Sequence, residues 1–328
     1  MRAVGEYLGK QELFRRQTPE VLDSLKQLSI IESSESSNRL EGITAPRERV
    51  RALVVQGTTP KDRSEQEIAG YRDVLAMIHD SAEGITFAVN VILQLHQMLF
   101  RHVPSEGGRW KMTQNEIVER NRNGTLRRVR FSPVTPVATP GAMDSLVDLY
   151  AVAIDRGRDP LLTIPLTVLD FLCIHPFTDG NGRTARLITL LLLYHAGYEV
   201  GRYIGLERIF EESKESYYET LEKSSRGWHE GEHDALPWVT YFWGVLLRAY
   251  REFEERVGKI QTSRGAKAQM IERVVARQIG AFSISDIEDQ CPGVSRDWLR
   301  IVLRRLRDEG KIAPRGRGRG AKWVRLDR

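Results

Sequence analysis

The stretch His-Pro-Phe-Thr-Asp-Gly-Asn-Gly-Arg-Thr-Ala-Arg, residues 175–186, brings several chemically active groups close together. It supplies an imidazole at His175 and a carboxylate at Asp179, followed by two arginines. An imidazole can act as a base near neutral pH, and a carboxylate suits a hard cation such as Mg²⁺. A structural turn with solvated arginines needs no such combination. We therefore interpret the stretch as a reactive site.

The same stretch predicts a site for phosphates. Gly180-Asn181-Gly182 follows an apolar helical pattern over 161–174 and precedes a second helical pattern. Backbone amides at a helix N-terminus bind anions, and glycine lets the backbone approach them closely. Arg183 and Arg186 share one helix face, where both could reach further phosphates. With His175 as the base, the set describes transfer of a nucleotidyl group from a nucleoside triphosphate to a hydroxyl.

The elements around this stretch are predicted to be mostly helical. Strand-like alternation is scarce, but the ends of the polar segment 110–131, MTQNEIV and LRRVRF, predict one short hairpin. A linker is predicted near 261–265. Apolar residues recur at helical spacing in five segments, which are 66–80, 85–100, 143–155, 161–174 and 184–197.

Composition limits the class of protein. The chain has 328 residues, of which 41% are hydrophobic, enough for a sizeable core. Its longest apolar run, 190–194, is far shorter than the ~18 residues of a membrane span, and residues 1–10 show no secretory pattern. We therefore expect a soluble cytoplasmic protein with no membrane partner. Its two cysteines, Cys173 and Cys291, cannot form a disulfide framework.

Residues 175–186 match the signature of the Fic family, His-x-Phe-x-Asp/Glu-Gly-Asn-Gly-Arg-x-x-Arg, at every fixed position. The chain resembles this family from about Glu41 to Arg251, including Gly108-Arg109-Trp110-Lys111 and the pair Tyr217-Tyr218. The resemblance implies a mostly α Fic-type core with a short β-hairpin flap. It also implies AMPylation, in which ATP donates AMP to a Ser, Thr or Tyr hydroxyl of a target protein.

The resemblance assigns a role to each residue of the signature. His175 would be the general base, and Asp179 would hold Mg²⁺. Phe177 would anchor the loop in the core. Ser225 stands where some relatives carry an Asn that contacts the base. The remaining residues would bind ATP. Gly180, Asn181 and Gly182 would hold its α and β phosphates, and Arg183 and Arg186 would hold its β and γ phosphates. Tyr218 would line the adenine pocket.

A second similarity lies upstream, in Ser37-Asn38-Arg39-Leu40-Glu41-Gly42. Taken alone, this Ser-rich region is typical of a solvated linker. Beside the Fic signature it matches the inhibitory pattern Ser/Thr-x-x-x-Glu-Gly/Asn, so that Glu41 would pair with Arg186. An apolar stripe of Val21, Leu22, Leu25 and Leu28 is expected to dock this N-terminal helix. The predicted domains are an inhibitory segment over 1–42 and a catalytic core over 43–260.

Residues 265–328 form the third predicted domain. They contain fifteen Lys and Arg against eight Asp and Glu, a balance of +7, which leaves −2 for residues 1–264. Predicted helices over 267–278, 284–290 and 295–309, followed by a hairpin within 311–326, are similar to a winged helix-turn-helix domain. The third helix would place four arginines against DNA, namely Arg296, Arg300, Arg304 and Arg307. Residues 315–320 would contact the DNA phosphates along the backbone.

Three alternatives stay open at this stage. The basic domain could bind a protein partner instead of DNA. The chain could be a DNA-binding regulator whose core senses nucleotide or removes AMP from a modified protein. The sequence also leaves open whether the chain forms a homodimer.

Overall fold

A computed structural model describes residues 3–7, 9, 19–104, 107–120, 125–262, 264–278, 280–291, 294–316 and 322–326. The chain divides into two compact units, of which the larger contains residues 1–16 and 22–252 and the smaller contains residues 17–21 and 253–328. The predicted linker near 261–265 falls where one helix ends at Thr262 and the next begins at Arg264, with Ser263 outside the described residues.

The larger unit is mostly helical, as predicted. Each of the five segments with helical spacing contains a helix, although residues 85–88 lie before the helix Val89–Leu99 and residues 196–197 lie after Asn181–His195. None of the helices in the described part of the chain has the length and apolarity that a bilayer span requires. The helices are α1 (Pro19–Leu40), α2 (Arg47–Gln56), α3 (Arg63–Ser81), α4 (Val89–Leu99), α5 (Thr139–Asp155), α6 (Pro160–Ile174), α7 (Asn181–His195), α8 (Leu206–Glu212), α9 (Lys214–Ser225) and α10 (Leu236–Thr262).

Helix α7 forms the centre of the larger unit. Its residues from Arg183 to Tyr194 are all buried, and α3, α4 and α6 pack against it. The sequence sets where α6 begins, because the Asp159 carboxylate accepts from the Leu161 N–H at 2.8 Å and Pro160 occupies the first turn. The connection between α6 and α7 carries the signature loop.

The predicted hairpin is present. Strand β1 (Ile117–Arg120) pairs antiparallel with β2 (Leu126–Phe131), with Val118 opposite Val129 and Glu119 opposite Arg128. Residues 121–124 between the strands, including Gly124, lie outside the described residues.

Helix α1 docks through its serines, which the apolar-stripe prediction did not anticipate. Leu25 is buried, but Leu28 is 37% exposed, so the predicted stripe is wrong at this position. The Ser33 hydroxyl instead donates to Glu207 at 2.6 Å, and the Ser29 hydroxyl donates to the Gly201 carbonyl at 3.1 Å. Small polar side chains allow α1 to approach the core closely. The buried polar residues of this face are Ser29, Ser33, Ser34, Ser36, Ser37 and Asn38.

The smaller unit contains three helices and a three-stranded sheet. The helices are α11 (Arg264–Arg277), α12 (Ile284–Glu288) and α13 (Arg296–Asp308), and the strands are β3 (Ala281–Phe282), β4 (Ile312–Arg315) and β5 (Lys322–Arg325). The antiparallel sheet has the order β3-β5-β4. Helix α13 buries the apolar stripe Leu299, Val302, Leu303 and Leu306 in the core of this unit.

Candidate active site

The signature loop connects α6 to α7 and has two residues with positive φ. His175 ends α6 with φ of 50°, and Gly180 precedes α7 with φ of 79°. A left-handed conformation is uncommon for a residue with a side chain and persists only where the surroundings hold it. Among the described residues other than glycine, His175 is the one with positive φ. The loop is therefore held in a conformation that its local sequence would not choose.

Phe177 and Asn181 hold the middle of the loop. Phe177 is fully buried and stacks on His96, with ring centroids 3.6 Å apart, in agreement with its expected role as an anchor. The Asn181 amide bonds to both backbone groups of Phe177, at 2.8 Å from its N–H and 2.7 Å from its carbonyl. Because the Asn181 side chain is used in this way, its backbone N–H is the group left for a ligand.

The imidazole of His175 is arranged as a base. Its Nδ1 lies 3.2 Å from the Leu172 carbonyl, which can only accept, so Nδ1 carries the proton and Nε2 is the unprotonated nitrogen. Burial lowers the pKa of His175 to about 4, and the charge of Lys111 acts in the same direction. His175 is therefore neutral near pH 7 and able to accept a proton.

The start of α7 offers backbone amides to an anion. Its helical hydrogen bonds begin with the Thr184 N–H, which donates to the Gly180 carbonyl at 2.9 Å. The preceding amides of the first turn, those of residues 181–183, are left for a ligand beside the positive end of the helix dipole. The amides of Asn181 and Gly182 belong to the predicted phosphate cradle, whereas the Gly180 N–H donates to Asp179 Oδ1. Phosphate binding by this cradle stays a prediction.

Asp179 is suited to a hard cation. Its side chain is 60% exposed, and its Oδ1 accepts from the Gly180 N–H at 2.6 Å. Mg²⁺ is commonly bound by one or two carboxylates together with the substrate's phosphates, so a single carboxylate beside a phosphate cradle fits this ion. No cluster of three or more acidic, His or Cys ligands occurs among the described residues. The donor set therefore fits a metal carried in with a nucleotide.

Arg186 is held by the end of α1. Its Nη2 donates to Glu41 Oε1 at 2.7 Å and to the Ser37 carbonyl at 2.9 Å, while its Nε donates to the Ser37 hydroxyl at 2.8 Å. The Arg186 side chain is only 2% exposed, whereas that of Glu41 is 32% exposed. Burial is the largest single effect and would lower the pKa of Arg186, but Glu41 together with Tyr217 and Tyr71 outweighs it, so the pKa is raised. The pair is thus sheltered, unlike a surface ion pair.

Gly182 makes room for this pair. A Cβ added at Gly182 would lie 2.3 Å from Glu41 Oε1 and 3.2 Å from Arg186 Nη1. A larger residue at this position would displace the carboxylate. The second glycine of the signature thus has a steric reason in this chain, besides its expected place in the phosphate cradle.

The side chain of Arg183 is fully buried and contacts other protein groups. It is 0% exposed, its Nη1 donates to Glu67 Oε2 at 2.6 Å, and its guanidinium carbon lies 5.1 Å from the Phe100 ring centroid. Nε and Nη2 have no hydrogen-bond partner among the described residues. Of the two arginines, Arg186 lines the cavity at this site and Arg183 is not among its lining residues. The expected contact of Arg183 with phosphate stays a prediction.

One cavity of about 300 Å³ collects most of the predicted site. It is also lined by Cys173, Tyr218 and Ser225, of which the resemblance associates Tyr218 and the Ser225 position with adenine. The Tyr218 hydroxyl donates to the Leu40 carbonyl at 3.2 Å, and burial raises its pKa. Burial likewise raises the pKa of the Cys173 thiol, which makes it a poor nucleophile. The signature residues that line this cavity are His175, Asp179, Gly180, Asn181, Gly182 and Arg186.

The flap is joined to α9 beside the cavity by ion pairs. Arg128 of β2 donates to both oxygens of Glu222 on α9, at 2.8 and 3.0 Å. Arg130 of β2 lies 3.3 Å from the same carboxylate, and Arg130, Phe131 and Glu222 line the cavity. These contacts join β2 to α9 and were not predicted from the sequence.

Three further residues missed by sequence analysis brace the loop. The Gly108 N–H donates to His96 Nδ1 at 2.8 Å, so His96 Nε2 carries the proton and donates to the Asp179 carbonyl at 3.0 Å. Lys111 and Asn115 brace the other side, where they bind the carbonyls of Ile174 and Phe177. The nearest signal was the segment 108–111, which the family resemblance included without assigning it a role.

Fold and loop together define a class of protein: a helical domain with a phosphate-binding loop, a neutral imidazole and a hairpin flap around one cavity. Residues 86–193 match the family described as the Fic/DOC family. This match and the relatives that follow support a Fic family protein.

Several similar proteins of known name are adenylyltransferases. The protein adenylyltransferase fic-1 of Caenorhabditis briggsae is 24% identical over 233 residues, which are 69% of this chain and 41% of that protein. The protein adenylyltransferase Fic of Nematostella vectensis is 26% identical over 201 residues, which are 58% and 42% of the two chains. The chain therefore spans about two fifths of the length of these relatives.

Solved structures support the fold. A Fic family protein from Desulfovibrio desulfuricans G20 aligns with a TM-score of 0.65 and 22% identity, covering 100% of this chain and 94% of that one. A fragment of Fic-1 from Caenorhabditis elegans aligns with a TM-score of 0.62 and 23% identity, covering 80% and 72% of the two chains. The expected Fic-type helical fold is thereby confirmed.

Proposed function

We propose that this protein transfers AMP from ATP to a Ser, Thr or Tyr hydroxyl of a target protein. The observation that carries the proposal is that one cavity brings together the neutral His175, the exposed Asp179 carboxylate and the amides at the start of α7. The similarity to adenylyltransferases supports the same chemistry.

The residues of this cavity divide the work of the reaction. Nε2 of His175 takes the proton of the acceptor hydroxyl, whose oxygen forms a bond to the α phosphorus of ATP while the bond to the β phosphate breaks and pyrophosphate leaves. The amides of 181–183 and the arginines hold the phosphates. Mg²⁺ held at Asp179 would supply charge neutralisation of the triphosphate.

The wild-type chain restrains its own activity in this proposal. Arg186 has Nε and Nη2 occupied by Ser37 and Glu41, so it is not available to the γ phosphate. ATP then lacks a contact that would align it for attack. Release of α1 or loss of Glu41 would restore this contact.

The first prediction tests the base. In a chain that carries Glu41→Gly, the further change His175→Ala should lower AMP transfer by ~10² to 10⁴-fold, because a positioned base contributes about that much to the rate. Transfer of label from ATP labelled at the α phosphate to protein measures this effect. ATP binding, measured by calorimetry, should stay nearly unchanged because the phosphate contacts lie elsewhere. Equal transfer by the two proteins would rule out the proposed mechanism.

We also propose that the smaller unit binds DNA. Helix α13 buries its apolar stripe and leaves Arg296, Arg300, Arg304 and Arg307 exposed on its surface. Three helices with an antiparallel sheet of order β3-β5-β4 are the arrangement expected of a winged helix-turn-helix domain, in which such a helix enters the major groove. Of the predicted phosphate-tracking segment 315–320, residues 317–320 lie outside the described part of the chain.

A further inference from the structure

Lys111 is a buried lysine beside the candidate base. It is 1% exposed, and its Nζ donates to Asn115 Oδ1 at 2.9 Å and to the Ile174 carbonyl at 3.1 Å. Within the described part of the chain, Lys111 forms no ion pair with a carboxylate, although a buried charge ordinarily needs one. Burial lowers the pKa of Lys111 to about 8, so it still carries its charge near pH 7. A buried ammonium of this kind is costly to stability and calls for a functional reason.

The contacts of Lys111 surround His175 on both sides. Its Nζ binds the carbonyl of Ile174, just before His175, and its own N–H donates to the Pro176 carbonyl, just after it, at 2.9 Å. Asn115, which accepts from Nζ, donates to the Phe177 carbonyl at 2.9 Å. Three carbonyls next to the left-handed His175 are therefore fixed by one lysine and its partner. Such bracing is what a strained residue requires.

The charge of Lys111 also acts on the ring of His175. Burial is the largest cause of the lowered pKa of His175, and Lys111 lowers it further, whereas Glu41 and Asp179 raise it. The remaining charged residues that line the same cavity are Glu116, Arg130, Arg186 and Glu222. A positive charge at Lys111 disfavours the imidazolium and so favours the form that can accept a proton.

We propose that Lys111 is a positioning residue for His175, which it holds in its left-handed conformation through the flanking carbonyls and whose protonated form it disfavours through its charge. The inference rests on the proposed function, because it assigns Lys111 to the residue that would act as base. It requires both the hydrogen bonds and the charge, which two different substitutions can separate.

The test follows the His175 ring directly by NMR in the full chain labelled at histidine, without any transfer reaction. His175→Asn identifies the signal. In Lys111→Met the pKa of His175 should rise by about half a unit or more, because a nearby like charge has been removed. Lys111→Gln keeps hydrogen-bonding capacity without the charge, so it should also raise the pKa of His175. This variant provides the measurement if Lys111→Met does not fold. Lys111→Arg should leave it near the wild-type value.

Kinetics in the Glu41→Gly chain provide the second readout. Lys111→Met should lower kcat by about tenfold or more with little change in the KM for ATP, since misplacing a catalytic group affects the reaction more than binding. Lys111→Arg should recover most of the rate. An unchanged His175 titration in a folded Lys111→Met or Lys111→Gln chain would overturn the proposal. If the titration shifts as expected but His175→Ala transfers AMP normally, the proposed function fails while the effect of Lys111 on His175 stands.

Discussion

At the scale of single residues, the proposed self-inhibition depends on which partner Arg186 has. An exposed ion pair contributes about 0–1 kcal/mol, whereas about 1.4 kcal/mol is needed for each tenfold of repression. The ion pair between Arg186 and Glu41 is expected to contribute more than an exposed ion pair, because Arg186 is 2% exposed and also binds Ser37 through two hydrogen bonds. The structure therefore makes self-inhibition energetically reasonable.

The prediction at this scale is that Glu41→Gly raises AMP transfer, including modification of the chain itself, by about tenfold or more. The carboxylate that occupies Arg186 is lost, while Ser37 and the docked helix stay. Labelled AMP incorporated per minute measures the effect. Arg186→Ala should not mimic the change, because it removes the expected phosphate ligand together with the inhibitor's partner.

Two outcomes are informative for that comparison. If Glu41→Gly leaves the rate unchanged while His175 proves essential, the 37–42 segment is only a helix end and regulation lies elsewhere. If Arg186→Ala is as active as Glu41→Gly, Arg186 is not a phosphate ligand.

At the scale of elements, α1 is held by small polar side chains in addition to Leu25 of the predicted apolar stripe. Ser33 is 1% exposed, and its Oγ would lie 2.9 Å from a Cβ placed at Gly205, so the chain segments are in close contact. Glu207 receives hydrogen bonds from Ser33 and from Tyr71, at 2.6 and 2.7 Å. Serines bury little apolar surface, so docking of α1 is expected to be weaker than that of a helix with an apolar face.

This packing predicts that Ser33→Leu detaches α1. A leucine does not fit where the helix approaches Gly205, and overpacking of this kind costs about 1–3 kcal/mol. Glu41 would then leave Arg186, and AMP transfer should rise toward the level of Glu41→Gly. Limited proteolysis should cut α1 faster than in the wild type. Gln27→Leu, on the exposed side of the same helix, is the matched control.

The difference between α1 as predicted and as observed shows what the sequence can specify. The loop 175–186 was predictable because its groups are adjacent in the chain, and a helix end followed by a helix start fixes their geometry. The five helical segments and the hairpin were predictable from periodicity. The partners of the loop were not, because His96 meets Asp179 across 83 residues and Lys111 meets Ile174 across 63. No local pattern encodes contacts of that range, and the serines of α1 resembled a linker because their burial depends on the core.

At the scale of the whole molecule, charge is divided unevenly along the chain. Residues 265–328 carry a balance of +7, while the rest of the chain carries −2. Some of this positive charge is paired within the smaller unit, since Arg305 contacts Glu272 and Arg296 lies 3.3 Å from Glu288. Arg300 and Arg304 are exposed one turn apart on α13, and Arg300 also donates to the exposed Asp297 at 2.9 Å. They are the residues with which we test the proposed DNA-binding surface.

The prediction is that the full chain binds duplex DNA with an affinity that falls as salt rises, and that Arg300→Ala with Arg304→Ala weakens this binding. The slope of log affinity against log salt should become shallower by about 0.9 for each arginine that neutralises a phosphate. Arg47→Ala with Arg51→Ala removes the same charge from two exposed arginines one turn apart on α2, and should leave the slope unchanged. Fluorescence anisotropy over a salt series measures both pairs. An equal loss of affinity in the two double variants would mean that binding follows net charge alone. Arginines that neutralise phosphates bind DNA most tightly when counterions are few. Absence of DNA binding at low salt would therefore assign α13 to a protein partner.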